Sequence, residues 1–96
     1  MYNYLTLAQK KEVVKDINEV GLFLLEFYLA KTGHEGYDYT DDRVAQALDW
    51  TVRKVSKYRV LLEKYEYFSK KRYTDRAGNA SYTIKVGNQK WMNKDY

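Results

Sequence analysis

The chain has 96 residues, 45% of them hydrophobic, with 17 Lys/Arg against 13 Asp/Glu and a formal net charge of +4. It holds no cysteine and no proline, which excludes disulfides and thiolate metal sites and fits a reducing interior. No signal-peptide pattern opens the chain, and its longest apolar run, Gly21 to Leu25, is far too short to cross a bilayer; one small, soluble, cytoplasmic domain is expected.

Leu7 to Asp16 is predicted as a helix with Thr6 as its N-cap. Val13, Val14 and Ile17 make only a weak stripe, and an extended segment is the alternative, since Val and Ile also suit strands. Asn18 caps a second helix, Glu19 to Lys31, where Val20, Phe23, Leu24, Phe27 and Tyr28 recur at helical spacing and Leu22, Leu25 and Leu29 widen the apolar face. A helix apolar on most sides is buried or lies at an interface. Gly33 ends it, and His34 to Tyr39 reads as a loop or short edge strand.

Thr40 caps a third helix, with Asp41 and Asp42 in the first turn, where the helix dipole favours negative charge. Val44, Ala45 and Leu48 form its inner face, and Asp49-Trp50 is a turn. Thr51 caps a fourth helix running to about Tyr65. Val52, Val55 and Leu62 are expected to face inward, Tyr58 and Tyr65 to lie near the boundary, and Arg53, Lys54, Lys57, Leu61 and Lys64 to face outward. Tyr67–Thr74 and Ala80–Val86 read as strands of a hairpin, with Tyr82, Ile84 and Val86 as the buried face and Gly78 supplying positive φ in the Asp75–Asn79 turn. Asn88 to Tyr96 is a polar tail with Trp91 and Met92.

Charge is unevenly spread along this order. Residues 1–52 hold five Lys/Arg and nine Asp/Glu, a net of −4; residues 53–76 hold nine and three, a net of +6; residues 77–96 hold three and one, a net of +2. A quarter of the chain therefore exceeds the net charge of the whole, which points to an anionic partner. The candidate contacts are Thr51, Arg53, Lys54, Lys57, Tyr58 and Lys64 on the fourth helix, and Lys70, Lys71, Arg72, Arg76 and Asn79 on the hairpin. Arg and Lys donate to guanine edges or phosphates, and Tyr can contact phosphate or a thymine methyl. The competing explanations are a solvated helix face and an edge strand protected from aggregation by charge.

Over residues 18–87 the ordered set resembles the winged helix-turn-helix family. Ala45 stands where that family keeps a small residue between two close helices, Val55 and Leu62 where its recognition helix meets the core, and Tyr67-Phe68 where its wing begins. Two departures are Glu66, where a Gly often precedes the first wing strand, and Arg59, where a core Leu is common, which allows a rotated helix or an extra turn. The resemblance implies an α+β, mostly α fold: a three-helix core and C-terminal two-stranded wing over 18–87, an extra N-terminal helix or arm over 1–17, and the tail over 88–96. It further implies double-stranded DNA as partner, with helix 51–65 in the major groove and wing 67–86 on the backbone, and a homodimer using the Phe23/Phe27 helix and the termini. Small Tyr/Lys-rich members look like phage or plasmid proteins.

His34 is the only histidine and has no cysteine or clustered partner, so a loop residue is expected rather than a metal ligand. Asp38, Asp41 and Asp42 suggest a cation site or a carboxylate pair, but capping accounts for Asp41 and Asp42 better, and no phosphate-cradling glycine loop is present. No enzyme and no cofactor are expected. Trp50 either packs on the core or stacks on DNA. The expected function is sequence-specific duplex binding in transcriptional regulation. The alternatives are a replication or partition factor of a mobile element with the same fold, and a phage-type module that binds a host protein.

Overall fold

The computed structural model describes residues 5–31, 39–74 and 76–87. Expectations for Gly33, His34, Asp38, Asp75 and the 88–96 tail with Trp91 and Met92 lie outside the described residues. The fold is α+β and mostly helical: α1 (Leu7–Asp16), α2 (Glu19–Lys31), α3 (Asp41–Leu48) and α4 (Val52–Lys64), then β1 (Phe68–Thr74) paired antiparallel with β2 (Ala80–Val86). Among the described residues no helix is long and apolar enough to cross a membrane.

Each helix starts at a side-chain cap that satisfies an otherwise orphaned backbone N–H. For α1 the cap is reciprocal: the Gln9 N–H donates to Thr6 Oγ1 (3.2 Å) and the Thr6 N–H to Gln9 Oε1 (2.8 Å). That capping box outweighs the strand preference of Val13 and Val14, so the extended alternative is not adopted. Asn18 Oδ1 accepts from the Gly21 N–H (2.9 Å), Thr40 Oγ1 from the Arg43 N–H (3.3 Å) and Thr51 Oγ1 from the Lys54 N–H (3.1 Å). Glycine at position 21 fits the tight α1–α2 junction, where a Cβ would lie 2.6 Å from Ile17 Cγ2.

The core draws on every helix and the start of the hairpin. Val13, Leu24, Tyr28, Val44, Val55 and Leu62 are fully buried, and the rings of Tyr28 and Phe68 stack with centroids 4.0 Å apart. Val13 makes α1 part of this core rather than a detached arm. A second tie joins α1 to the hairpin: the buried Tyr67 hydroxyl donates to the Asp16 carboxylate and lies 3.2 Å from Glu12 Oε1. Burial first, then the Asp16 hydrogen bond and the Glu12 charge, hold this phenol well above its ordinary pKa.

Asp49 at φ 59° turns the chain out of α3, with its own N–H returning to Gln46 O and the Trp50 N–H to Ala45 O. Ala45 is buried, as its place on the inner face required. Glu66, at φ 63°, does the same between α4 and β1. It occupies a position whose backbone suits glycine, at a cost of about 1 kcal/mol for a residue bearing a Cβ. Gly78, at φ 87°, lies in the hairpin turn.

One expectation for α4 is corrected. Val52 does not face inward but is 45% exposed. At about 100° per residue it lies roughly 70° from the Val55–Leu62 seam, beside Arg59 and Glu63. Arg59 is half-buried at the margin of the core. Its Nε and Nη2 donate to Asp41 Oδ1 (2.8 Å) and Oδ2 (3.0 Å), and its Nη1 donates to Glu63 Oε1 (2.8 Å). The Asp41 hydrogen bond holds the guanidinium even more firmly protonated than usual. A position expected to be core leucine is thus the edge of the core, where an aliphatic stem packs and a planar fork bridges the start of α3 to α4.

Candidate nucleic-acid interface

The α3–α4 turn and the short link from Tyr65 to Tyr67 place a cationic helix directly before a cationic hairpin. On α4, Val55 and Leu62 fix one side against the core. Helical geometry then puts Arg53, Lys57, Val60 and Lys64 within an arc of about 60° on the opposite side. All four are exposed, Val60 by 51%. Val60 was missed in the sequence; its signal is the spacing 53, 57, 60, 64, one helical face whose third member is aliphatic.

Thr51 caps the start of α4, where its hydroxyl already serves the Lys54 N–H. Lys54 is turned about 100° from Arg53, and its Nζ sits 4.4 Å above the Trp50 ring. Trp50 in turn lies 5.9 Å from Phe23. Trp50 therefore packs on the core margin and is not a detached stacking group. Glu19, Val20, Phe23, Trp50 and Lys54 line a groove of about 300 Å³. Tyr58 is half-buried, with its hydroxyl accepting from Asn18 Nδ2 (3.2 Å), so it ties α4 to the cap of α2 and lies off the outward face. Lys57 and Lys64 lie over the neighbouring rings of Tyr58 and Tyr65, at 5.5 and 5.8 Å. Such contacts are worth about 0.5–1 kcal/mol at exposed sites and restrict where a flexible ammonium points.

The hairpin divides its charges. Opposed residues share a face, and the register pairs Phe68 with Val86, Lys70 with Ile84, Arg72 with Tyr82 and Lys71 with Thr83. Lys70 and Arg72 therefore share the side of Phe68, Ile84 and Val86. Lys70 is committed to the fold: its Nζ donates to the Tyr39 carbonyl (3.2 Å) and lies 5.2 Å from the Tyr82 ring. Lys71 points the other way, with exposed Tyr73 and with Lys85, a cation the sequence reading passed over. Strand alternation was its signal. Arg76 and Asn79 are exposed at the turn. The eleven candidates thus form an outward α4 group of Arg53, Lys57 and Lys64, an outward hairpin group of Lys71 with Arg76 and Asn79 at the tip, an exposed Arg72 on the opposite face of β1, and Thr51, Lys54, Tyr58 and Lys70, which are engaged in packing or capping.

Among the described residues no group of three or more His, Asp or Glu side chains is arranged to hold a metal ion. No protein-family model, no curated protein and no solved structure matches this chain.

Proposed function

We propose that the chain is a winged helix-turn-helix protein that binds double-stranded DNA sequence-specifically and regulates transcription by occupying its site, with α4 as recognition helix in the major groove and the hairpin as wing. The observation that carries this reading is the outward face of α4: three exposed cations opposite a buried seam, on a helix that follows a capped tight turn and precedes a basic hairpin. A helix fits the major groove, cations meet phosphate or guanine edges, and hairpin cations meet the backbone. A homodimer would set two such helices one DNA turn apart, and Phe23, 56% exposed on α2, is available for that contact.

The test is binding to random and selected duplexes by fluorescence anisotropy across a salt series. With about six cations at phosphates the log–log slope should be roughly −5. Absence of binding, or a flat salt response, overturns the reading. A replication or partition factor would use the same residues and differs only in the site recovered. The protein-interaction reading is favoured by one observation, the apolar Phe23–Trp50 groove, which suits a partner's side chain. It takes over if duplex DNA is ignored.

A further inference from the structure

Resting on the DNA-binding reading above, we propose that Val60 is a specificity-determining residue that reads the 5-methyl group of a thymine in the major groove. The argument begins with where the side chain is. Val60 does not contribute to the core, being 51% exposed, and it lies on the side of α4 away from buried Val55 and Leu62. Its neighbours on that face are Arg53, Lys57 and Lys64, at seven and three positions before it and four after. A solvated basic face gains nothing from valine, which is a poorer helix former than Lys, Arg, Glu or Ala.

Along the helix axis Val60 lies between Lys57 and Lys64, so the face suits an anionic surface that also offers an apolar spot along one edge. The major groove of a duplex is bordered by phosphates, and the one apolar group that its base edges carry is the thymine methyl. Arg53 and Val60 are about 10 Å apart along the helix axis, roughly three base-pair steps, so cation and methyl contacts can be made together. Lys57 and Lys64 are each directed over a tyrosine ring, on the side of the face away from Val60, so neither ammonium covers the isopropyl group.

The experiment uses the full chain. Duplexes are enriched from a random library, and in the recovered site each thymine is replaced in turn by deoxyuridine, which removes only the methyl. Affinities are then measured for wild type and Val60→Ala. Loss of one methyl contact should weaken wild type by about three- to fivefold at one or two positions, and Val60→Ala should bind the thymine and deoxyuridine forms equally there. Val60→Ala removes an exposed side chain and improves helix propensity, so a folding defect is not expected, and its melting temperature checks this. If no deoxyuridine position weakens wild type, or the loss is undiminished in Val60→Ala, Val60 is not the reader and the inference falls while DNA binding stands. If no duplex is enriched at all, the DNA reading falls and takes this inference with it, and an acidic protein surface with an apolar spot becomes the partner.

Discussion

The fourth helix and the hairpin carry equal charge: α4 over 52–64 and the hairpin over 67–87 each hold five Lys/Arg and one acidic residue, a net of +4 apiece. They organise it differently. A helix repeats every 3.6 residues, so one stripe can be core while the opposite one gathers the cations. A strand repeats every two, so consecutive Lys70, Lys71 and Arg72 are sent to alternate faces. The helix is also fixed at three points along its inner side, by the Val55–Leu62 seam, the Arg59–Asp41 fork and the Tyr58–Asn18 bond. The outer half of β1 beyond Lys70 and the described turn residues are exposed throughout. Reading base edges needs fixed side chains; holding a backbone needs only charge. The same formal charge is thereby suited to two tasks.

The sharpest way to break this comparison is to remove the seam. Leu62→Ala should cost about 2–5 kcal/mol, enough to unfold much of a small domain. Ile84→Ala, on the half-buried side of β2, should cost about 1 kcal/mol, since less of the side chain is lost from packing. Chemical denaturation measures both, and equal losses would mean that the hairpin is as firmly held as the helix.

The next effect is functional. Arg53→Ala and Lys57→Ala should each cost about 1–3 kcal/mol on the preferred site and lower the ratio of specific to random affinity. Lys71→Ala and Arg76→Ala should weaken all sequences alike and reduce the salt slope by roughly one. Lys70→Ala should instead lower stability more than affinity, because its ammonium is engaged with Tyr39 and Tyr82. If Lys71 and Arg53 behave identically in competition assays, the division of labour is wrong.

Arg59→Ala should destabilise by about 1–2 kcal/mol, as it strands a partly buried Asp41. In a double-mutant cycle, Asp41→Asn and Arg59→Ala should show a coupling of about 1 kcal/mol; additive losses would mean that the fork contributes nothing. Glu66→Gly is expected to raise stability by up to about 1 kcal/mol, because it relieves a left-handed backbone at the joint between helix and hairpin. An unchanged or lower melting temperature would count against strain there.

The smallest effect is a pH dependence. The Tyr67 phenol is held above its ordinary pKa in the fold, while the unfolded chain has it near 10. Its contribution is thus complete below pH 10 and is lost as pH rises beyond that. Melting temperature should fall above pH 10 in wild type, and less steeply in Tyr67→Phe.

Local chemistry was sufficient to read the element order and bounds. Caps at Thr6, Asn18, Thr40 and Thr51, the glycine turn at Gly78 and the periodicity of Val55 and Leu62 act within a few residues, so their physics is present in the sequence itself. The tertiary structure decided what depends on neighbours far along the chain. Arg59 reads as a misplaced core residue until Asp41, 18 positions earlier, is brought to it. Tyr58 and Lys70 read as surface groups of the basic helix and hairpin, and only the fold brings them to Asn18 and Tyr39, 40 and 31 positions away. Val52 fits the helical pattern of the core but lies beyond its edge, because a repeat of 3.6 residues specifies a direction and only packing determines how wide the buried stripe is.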